Sequence, residues 1–245
     1  MSFTIKKHIP NTITCFNLFS GTIAVSFAFE GNLLFATLFI LLSAVFDFLD
    51  GFLARLLGAY SELGKQLDSL ADLVSFGLAP SVIVFSLFKE FPYPEAMFDY
   101  AFLFPYTGFF IVVFSALRLA KFNIDESQTT SFRGLPTPAN AILIGGIALS
   151  QFSFWTIPVV GLYLLLALVC VSCFLLVSPL PMFSLKMKGF SIANNKVQYT
   201  FLLLSLVLLV AFFFFGFALS ICLYILMSVV LAIKNRLSNK KDLHI

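Results

Sequence analysis

Long apolar runs separated by short polar turns dominate this chain. Eight such runs follow one another at roughly 11–29, 32–56, 65–88, 100–120, 138–155, 156–178, 199–215 and 217–234. About 20 consecutive apolar residues are enough to carry an α-helix across a bilayer. The pattern therefore predicts an all-α, polytopic integral membrane bundle of about eight transmembrane helices, built as a single domain over residues 1–245. The last two runs are short and meet at a tight turn near Gly216, so they also read as one re-entrant hairpin.

Composition strengthens this picture and leaves little room for a separate soluble domain. Of the 245 residues, 60% are hydrophobic, 33 are phenylalanine and only 11% are charged. Soluble domains carry about 25% charged residues. The charges are also sorted by side. With the amino terminus in the cytoplasm, every lysine and arginine except Lys89 falls at a cytoplasmic end, while Glu30, Glu90, Glu95 and Asp99 face the far side. Basic residues resist translocation, so this bias predicts that both termini are cytoplasmic. No small-residue cleavage site follows the first run, which is expected to be retained. Cys15, Cys170, Cys173 and Cys222 all lie in apolar runs, where a thiolate would be poorly solvated; they read as small packing residues.

Two polar connections stand out. Residues 121–137 form a long cytoplasmic loop, a type of connection that tends to be functional or disordered. Residues 179–198 carry Lys186, Lys188 and Lys196, a basic surface suited to anionic headgroups.

Four acids sit where acids are costly. Asp47 and Asp50 lie near the end of the second run, and Asp68 and Asp72 near the start of the third. An aspartate within a spanning helix costs about 2.5–3.5 kcal/mol on insertion scales unless it is paired or hydrated. Each pair occupies one helix face through i,i+3 or i,i+4 spacing. The stripes Ser43, Asp47, Asp50, Ala54 and Asp68, Asp72, Ser75, Ala79 repeat the same spacing on consecutive antiparallel helices. Both carboxylate pairs can then face one cavity, where they would repel one another without a counter-charge. Oxygen ligands without histidine favour a hard divalent ion, Mg²⁺ or Mn²⁺. His8 and His244 stand at the chain ends, away from this cluster. A pair of ions about 3.5–4 Å apart would suit phosphoryl transfer.

Written out, the stretch is Asp47-x-x-Asp50-Gly51-x-x-Ala54-Arg55, eight residues, then Gly64-x-x-x-Asp68-x-x-x-Asp72. It resembles the signature of the CDP-alcohol phosphotransferases at every defining position. The resemblance implies that Asp47, Asp50, Asp68 and Asp72 hold two metal ions on the CDP diphosphate, with Asp72 as ligand, as base or as both. It implies that Gly51, Ala54, Arg55 and Gly64 line the CDP pocket. Gly51 and Arg55 are i,i+4 neighbours, which would put a guanidinium beside the opening at Gly51. Taken singly, these glycines also suit close helix packing. The run from Pro10 to Asn17 resembles the family's first segment, and Asn11 and Thr14 are carried over to the nucleotide; Asn11 or Thr12 as a helix cap is the other reading.

The text around the signature is similar to the phosphatidylserine synthase branch, as are Ala116–Asn123 and Phe132–Ala139. This resemblance implies CDP-diacylglycerol as donor, L-serine as acceptor and membrane lipids as surroundings, with no nucleic acid, and a homodimer. Serine's carboxylate needs a cation. Arg118 is the first candidate, with Asn123 and Arg133 beside it; Arg118 and Lys121 also suit snorkelling anchors. The implied site faces the cytoplasm from the cell (inner) membrane. Glycerol 3-phosphate or inositol phosphate as acceptor, and a cation-coupled transporter, are the competing readings.

Overall fold

The computed structural model describes residues 3–124, 132–150, 157–184, 191 and 195–242. Residues 125–131, Lys186, Lys188 and His244 lie outside the described residues. Helix α1 spans Phe3–Phe29 and α2 spans Leu33–Leu57. A third rod begins as α3 (Glu62–Asp72), passes through wide π-type turns at Leu73–Leu78, and continues as α4 (Ala79–Lys89). A 3₁₀ turn at Glu95–Tyr100 and the short α5 (Phe104–Thr107) lead into α6 (Phe110–Ile124). Helices α7 (Thr137–Ala148), α8 (Pro158–Val177), α9 (Lys196–Phe212) and α10 (Phe214–Asp242) complete the bundle.

Among the described residues, six helices are long and apolar enough to cross a membrane: His8–Phe29, Leu33–Leu57, Glu62–Lys89, Phe104–Ile124, Val159–Val177 and Phe214–Lys234. The other two apolar segments are shorter, Thr137–Ala148 and Lys196–Phe212. At 1.5 Å per residue, the 12 residues of α7 extend about 18 Å, well short of a hydrocarbon core of about 30 Å. Its buried residues, among them Asn140, Ala141, Ile144, Gly145 and Gly146, place it inside the bundle. Among the described residues, six of the expected eight segments therefore have spanning length; residues 151–156, at the end of the fifth expected segment, lie outside them. The result is an all-α integral membrane bundle.

Small residues let the helices come close. A Cβ on Gly21 would run into Ser75, so α1 presses directly on the wide turns. A Cβ on Gly145 would stand 2.7 Å from Thr37 of α2, and one on Gly146 2.7 Å from the backbone of Ala218 in α10. Serines stitch the same helices together. Ser20 donates to the Phe39 carbonyl at 2.9 Å, and Ser86 to that of Ala28 at 2.6 Å. Such bonds contribute about 0.6 kcal/mol each on average in membrane bundles. Phe76, Phe88, Ile40, Ile83, Ile111 and Ile144 fill the centre with no exposure. Apolar side chains such as Phe48, Leu203 and Val210 point outward, towards lipid.

A proline stands just beyond the wide turns. Pro80 lacks an N–H, so the Phe76 carbonyl has no i+4 donor, and a tight α-turn would push the ring into that carbonyl. Ala79 instead donates to the carbonyl of Val74, five residues back. Such π-bulges often mark functional sites.

Candidate active site

Helix α2 ends at Gly58, whose φ of 59° lies in the left-handed region, and its N–H donates to the carbonyls of Ala54 and Arg55. Three residues later Ser61 caps α3 by accepting from the Gly64 N–H at 3.0 Å. This tight reversal brings the two aspartate pairs to one level. Carboxylate oxygens of Asp47, Asp50 and Asp68 all lie within 4.8 Å of one another. Asp72 stands one turn beyond Asp68 and lies within electrostatic reach of Asp47, Asp68 and Asp50. The four predicted ligands are therefore neighbours in space.

Helix α1 closes the cluster from the side. Thr14, 3% exposed, donates its hydroxyl to Asp50 Oδ2 at 2.6 Å. Asn11 reaches α3: a Cβ on Gly64 would stand 2.8 Å from Asn11 Oδ1. Thus Gly64 keeps open the space in which the first helix and the third rod meet. Asn11, Asp50, Gly51, Ala54, Gly64 and Asp68 share one cavity of about 680 Å³, completed by Tyr60, Ser61 and Lys65. Arg55 is exposed and does not line that cavity, but its Nη1 would be 3.8 Å from a Cβ on Gly51. The guanidinium thus stands beside the opening, as the i,i+4 spacing predicts.

A second, basic cavity of about 360 Å³ lies nearby, lined by Arg118, Lys121 and Arg133 with Ser178 at the end of α8. Arg118 donates from Nη1 to Thr137 Oγ1 at 3.3 Å and lies within electrostatic reach of Asp72. Asn123 does not line this cavity. Its Nδ2 donates to Ser69 Oγ at 2.8 Å, while its carbonyl accepts from Lys65 Nζ at 3.2 Å, so it joins the end of α6 to α3. The short strand β1 (Phe132–Arg133) pairs antiparallel with β2 (Pro181–Met182). Gly134, at φ 77°, donates to the Leu180 carbonyl at 2.9 Å, and Leu135 to that of Leu175 at 2.9 Å. Arg133 is thereby held in the lining of the basic cavity.

Several residues of the site escaped the spacing argument, among them Tyr60, Ser61 and Lys65 of the larger cavity and, beside Asp72, Asn17. Asn17, wholly buried on α1, donates from Nδ2 to Asp72 Oδ1 at 3.3 Å. In the sequence it closes the Pro10–Asn17 run and follows Thr14 at i+3, but nothing there pairs it with Asp72.

The donor set fits a divalent ion. Three clustered carboxylates, oxygen-only and partly withdrawn from water, match the preference of hard cations. The sequence also has clear relatives. Residues 7–172, more than half of the chain, match the family described as CDP-alcohol phosphatidyltransferase. The chain is 35% identical over 153 residues to a Bacillus subtilis protein named CDP-diacylglycerol–serine O-phosphatidyltransferase, covering 62% of this chain and 79% of that one. A Saccharomyces cerevisiae protein of the same name is 38% identical over 157 residues, 58% of this chain and 53% of its own. The archaetidylserine synthase of Methanothermobacter thermautotrophicus is 33% identical over 146 residues, 59% of either chain. The last two matches thus span little more than half of the relatives' length. With the signature complete and its residues gathered at one site, the chain belongs to the CDP-alcohol phosphatidyltransferase family.

Proposed function

We propose that this chain transfers the phosphatidyl group of CDP-diacylglycerol to the hydroxyl of L-serine, giving the serine phospholipid and CMP. The observation that carries the reading is the meeting of Asp47, Asp50 and Asp68 beside a cavity lined by Asn11, Gly51, Ala54 and Gly64. The relatives named for the same reaction support serine as the acceptor.

The aspartates are residues that would hold Mg²⁺ or Mn²⁺, as two ions, and Asp72 serves as base. Bound there, divalent metal would neutralise charge on the diphosphate and favour departure of CMP. All remaining steps belong to the chain's own groups. Gly51 and Ala54 leave space for the nucleotide, and Arg55 lies where it can pair with a phosphate. Thr14 holds one oxygen of Asp50, which fixes the rotation of that carboxylate. Arg118 and Arg133 attract the carboxylate of serine, with Asn123 bracing the same corner against α3. The serine hydroxyl gives its proton to Asp72 and its oxygen bonds to the lipid-side phosphorus. The bond from that phosphorus to the bridging oxygen breaks, and CMP leaves with the electron pair.

Charge sorting supports a cytoplasmic site with both termini on that side, in the cell (inner) membrane. One domain over residues 1–245, working in membrane lipid and as a homodimer, completes the reading. The deciding experiment is CMP release by purified protein with CDP-diacylglycerol and Mn²⁺ or Mg²⁺, offering L-serine, glycerol 3-phosphate and inositol phosphate in parallel. Serine-dependent release, lost on chelation and reduced at least about 1,000-fold in Asp72→Asn, is expected. Release with another acceptor alone would overturn serine.

A further inference from the structure

Three helices converge on one buried amide. Asn17 has no exposure, and its backbone carbonyl accepts from Ser43 of α2 at 3.2 Å and from Ser75 of the wide turns at 3.0 Å. Those two serines anchor the peptide, not the side chain. Among the described residues the side chain has one partner, Asp72, through Nδ2, while Oδ1 is buried without any. A buried polar atom left unpaired costs about 1–3 kcal/mol. Leucine has nearly the same shape and would avoid that cost, so packing gives no reason for asparagine here. The bond to Asp72 does.

We propose that Asn17 is a positioning residue. By engaging Oδ1 of Asp72 it sets the rotation of that carboxylate and leaves Oδ2 for the divalent cation and the acceptor's proton. Outer groups that orient a ligand in this way typically contribute 10–100-fold in metal affinity or activity. Asn17 touches neither nucleotide nor acceptor in this scheme; it acts through Asp72. The inference rests on the functional reading above.

The test uses the full chain in lipid nanodiscs: wild type, Asn17→Leu, Asn17→Ala, Ser43→Ala and Ser75→Ala. Mn²⁺ binding is followed directly by the paramagnetic resonance of free Mn²⁺, beside melting temperature, kcat and the KM for CDP-diacylglycerol. Asn17→Leu is expected to weaken Mn²⁺ binding about 10–100-fold and to lower kcat at limiting Mn²⁺, with little change in that KM at saturating Mn²⁺. The two serine variants should melt lower yet bind Mn²⁺ within about twofold of wild type, because they disturb the peptide and leave the amide facing Asp72. If Asn17→Leu fails to fold, Asn17→Ala carries the same expectation. Unchanged Mn²⁺ affinity in the folded Asn17 variant, or an equal loss in Ser75→Ala, would overturn the positioning role. Wild type that binds Mn²⁺ but releases no CMP with serine would sink the functional reading while the affinities still judge Asn17.

Discussion

Single side chains of α1 organise a site whose charged groups all come from other elements. The hydroxyl of Thr14 meets Asp50 at 2.6 Å, a charge-assisted bond of the stronger kind. Thr14→Val keeps the shape and removes the donor. We expect kcat to fall about 10–100-fold with the protein still folded, measured as CMP release beside a melting curve. Gly64→Ala should act differently. Its new Cβ would lie 2.8 Å from Asn11 Oδ1, the movable end of a side chain, so Asn11 shifts and the fold survives. The KM for CDP-diacylglycerol should rise several-fold with a smaller change in kcat. The carboxylates and the glycines beside them were legible in the sequence, because i,i+3 and i,i+4 spacing is a local property. Asn17 was not. Its role depends on α1 crossing a rod 55 residues further along, which no local pattern encodes.

Elements depart from the hydropathy reading where local chemistry departs from an ideal helix. The apolar run at 138–155 suggested a span; among the described residues α7 covers Thr137–Ala148 and is largely buried in protein, which hydropathy cannot tell from facing lipid. The wide turns were hidden for a related reason. Pro80 was visible, but whether a proline ends, kinks or widens a helix depends on what packs around it. Deleting one residue from the regular turns of α4 should rotate the carboxylates about 100° against the rest of that helix. We expect at least about a 100-fold loss of CMP release with helical content unchanged by circular dichroism. The β1–β2 pair was equally invisible, being only two residues on each side. At its end Gly134 combines a φ of 77° with carbonyls of Leu176, Leu175 and Ser178 at 2.6–3.1 Å from any added Cβ. Gly134→Ala should therefore destabilise the protein by about 1–3 kcal/mol, seen as a lower melting temperature.

At the scale of the whole molecule, sidedness is the property most open to direct test. In a variant lacking Cys15, Cys170, Cys173 and Cys222, Glu90→Cys should react with a membrane-impermeant maleimide in intact cells. Glu62→Cys, at the first turn of α3, should react only after permeabilisation. Reversed labelling would place the carboxylates on the other face. The bundle's outer wall varies in what it must specify. Most of α9, and positions of α10 such as Leu226 and Val230, present side chains to lipid, where one apolar residue serves as well as another. Gly146 is different: it seats α10 backbone to backbone at Ala218, leaving no room for even a methyl group. That contact works like a keyway in a shaft. It permits the outer helix to drift freely in composition while forbidding it to slide or turn, so the catalytic half keeps its shape although most of the wall behind it is written in an interchangeable alphabet.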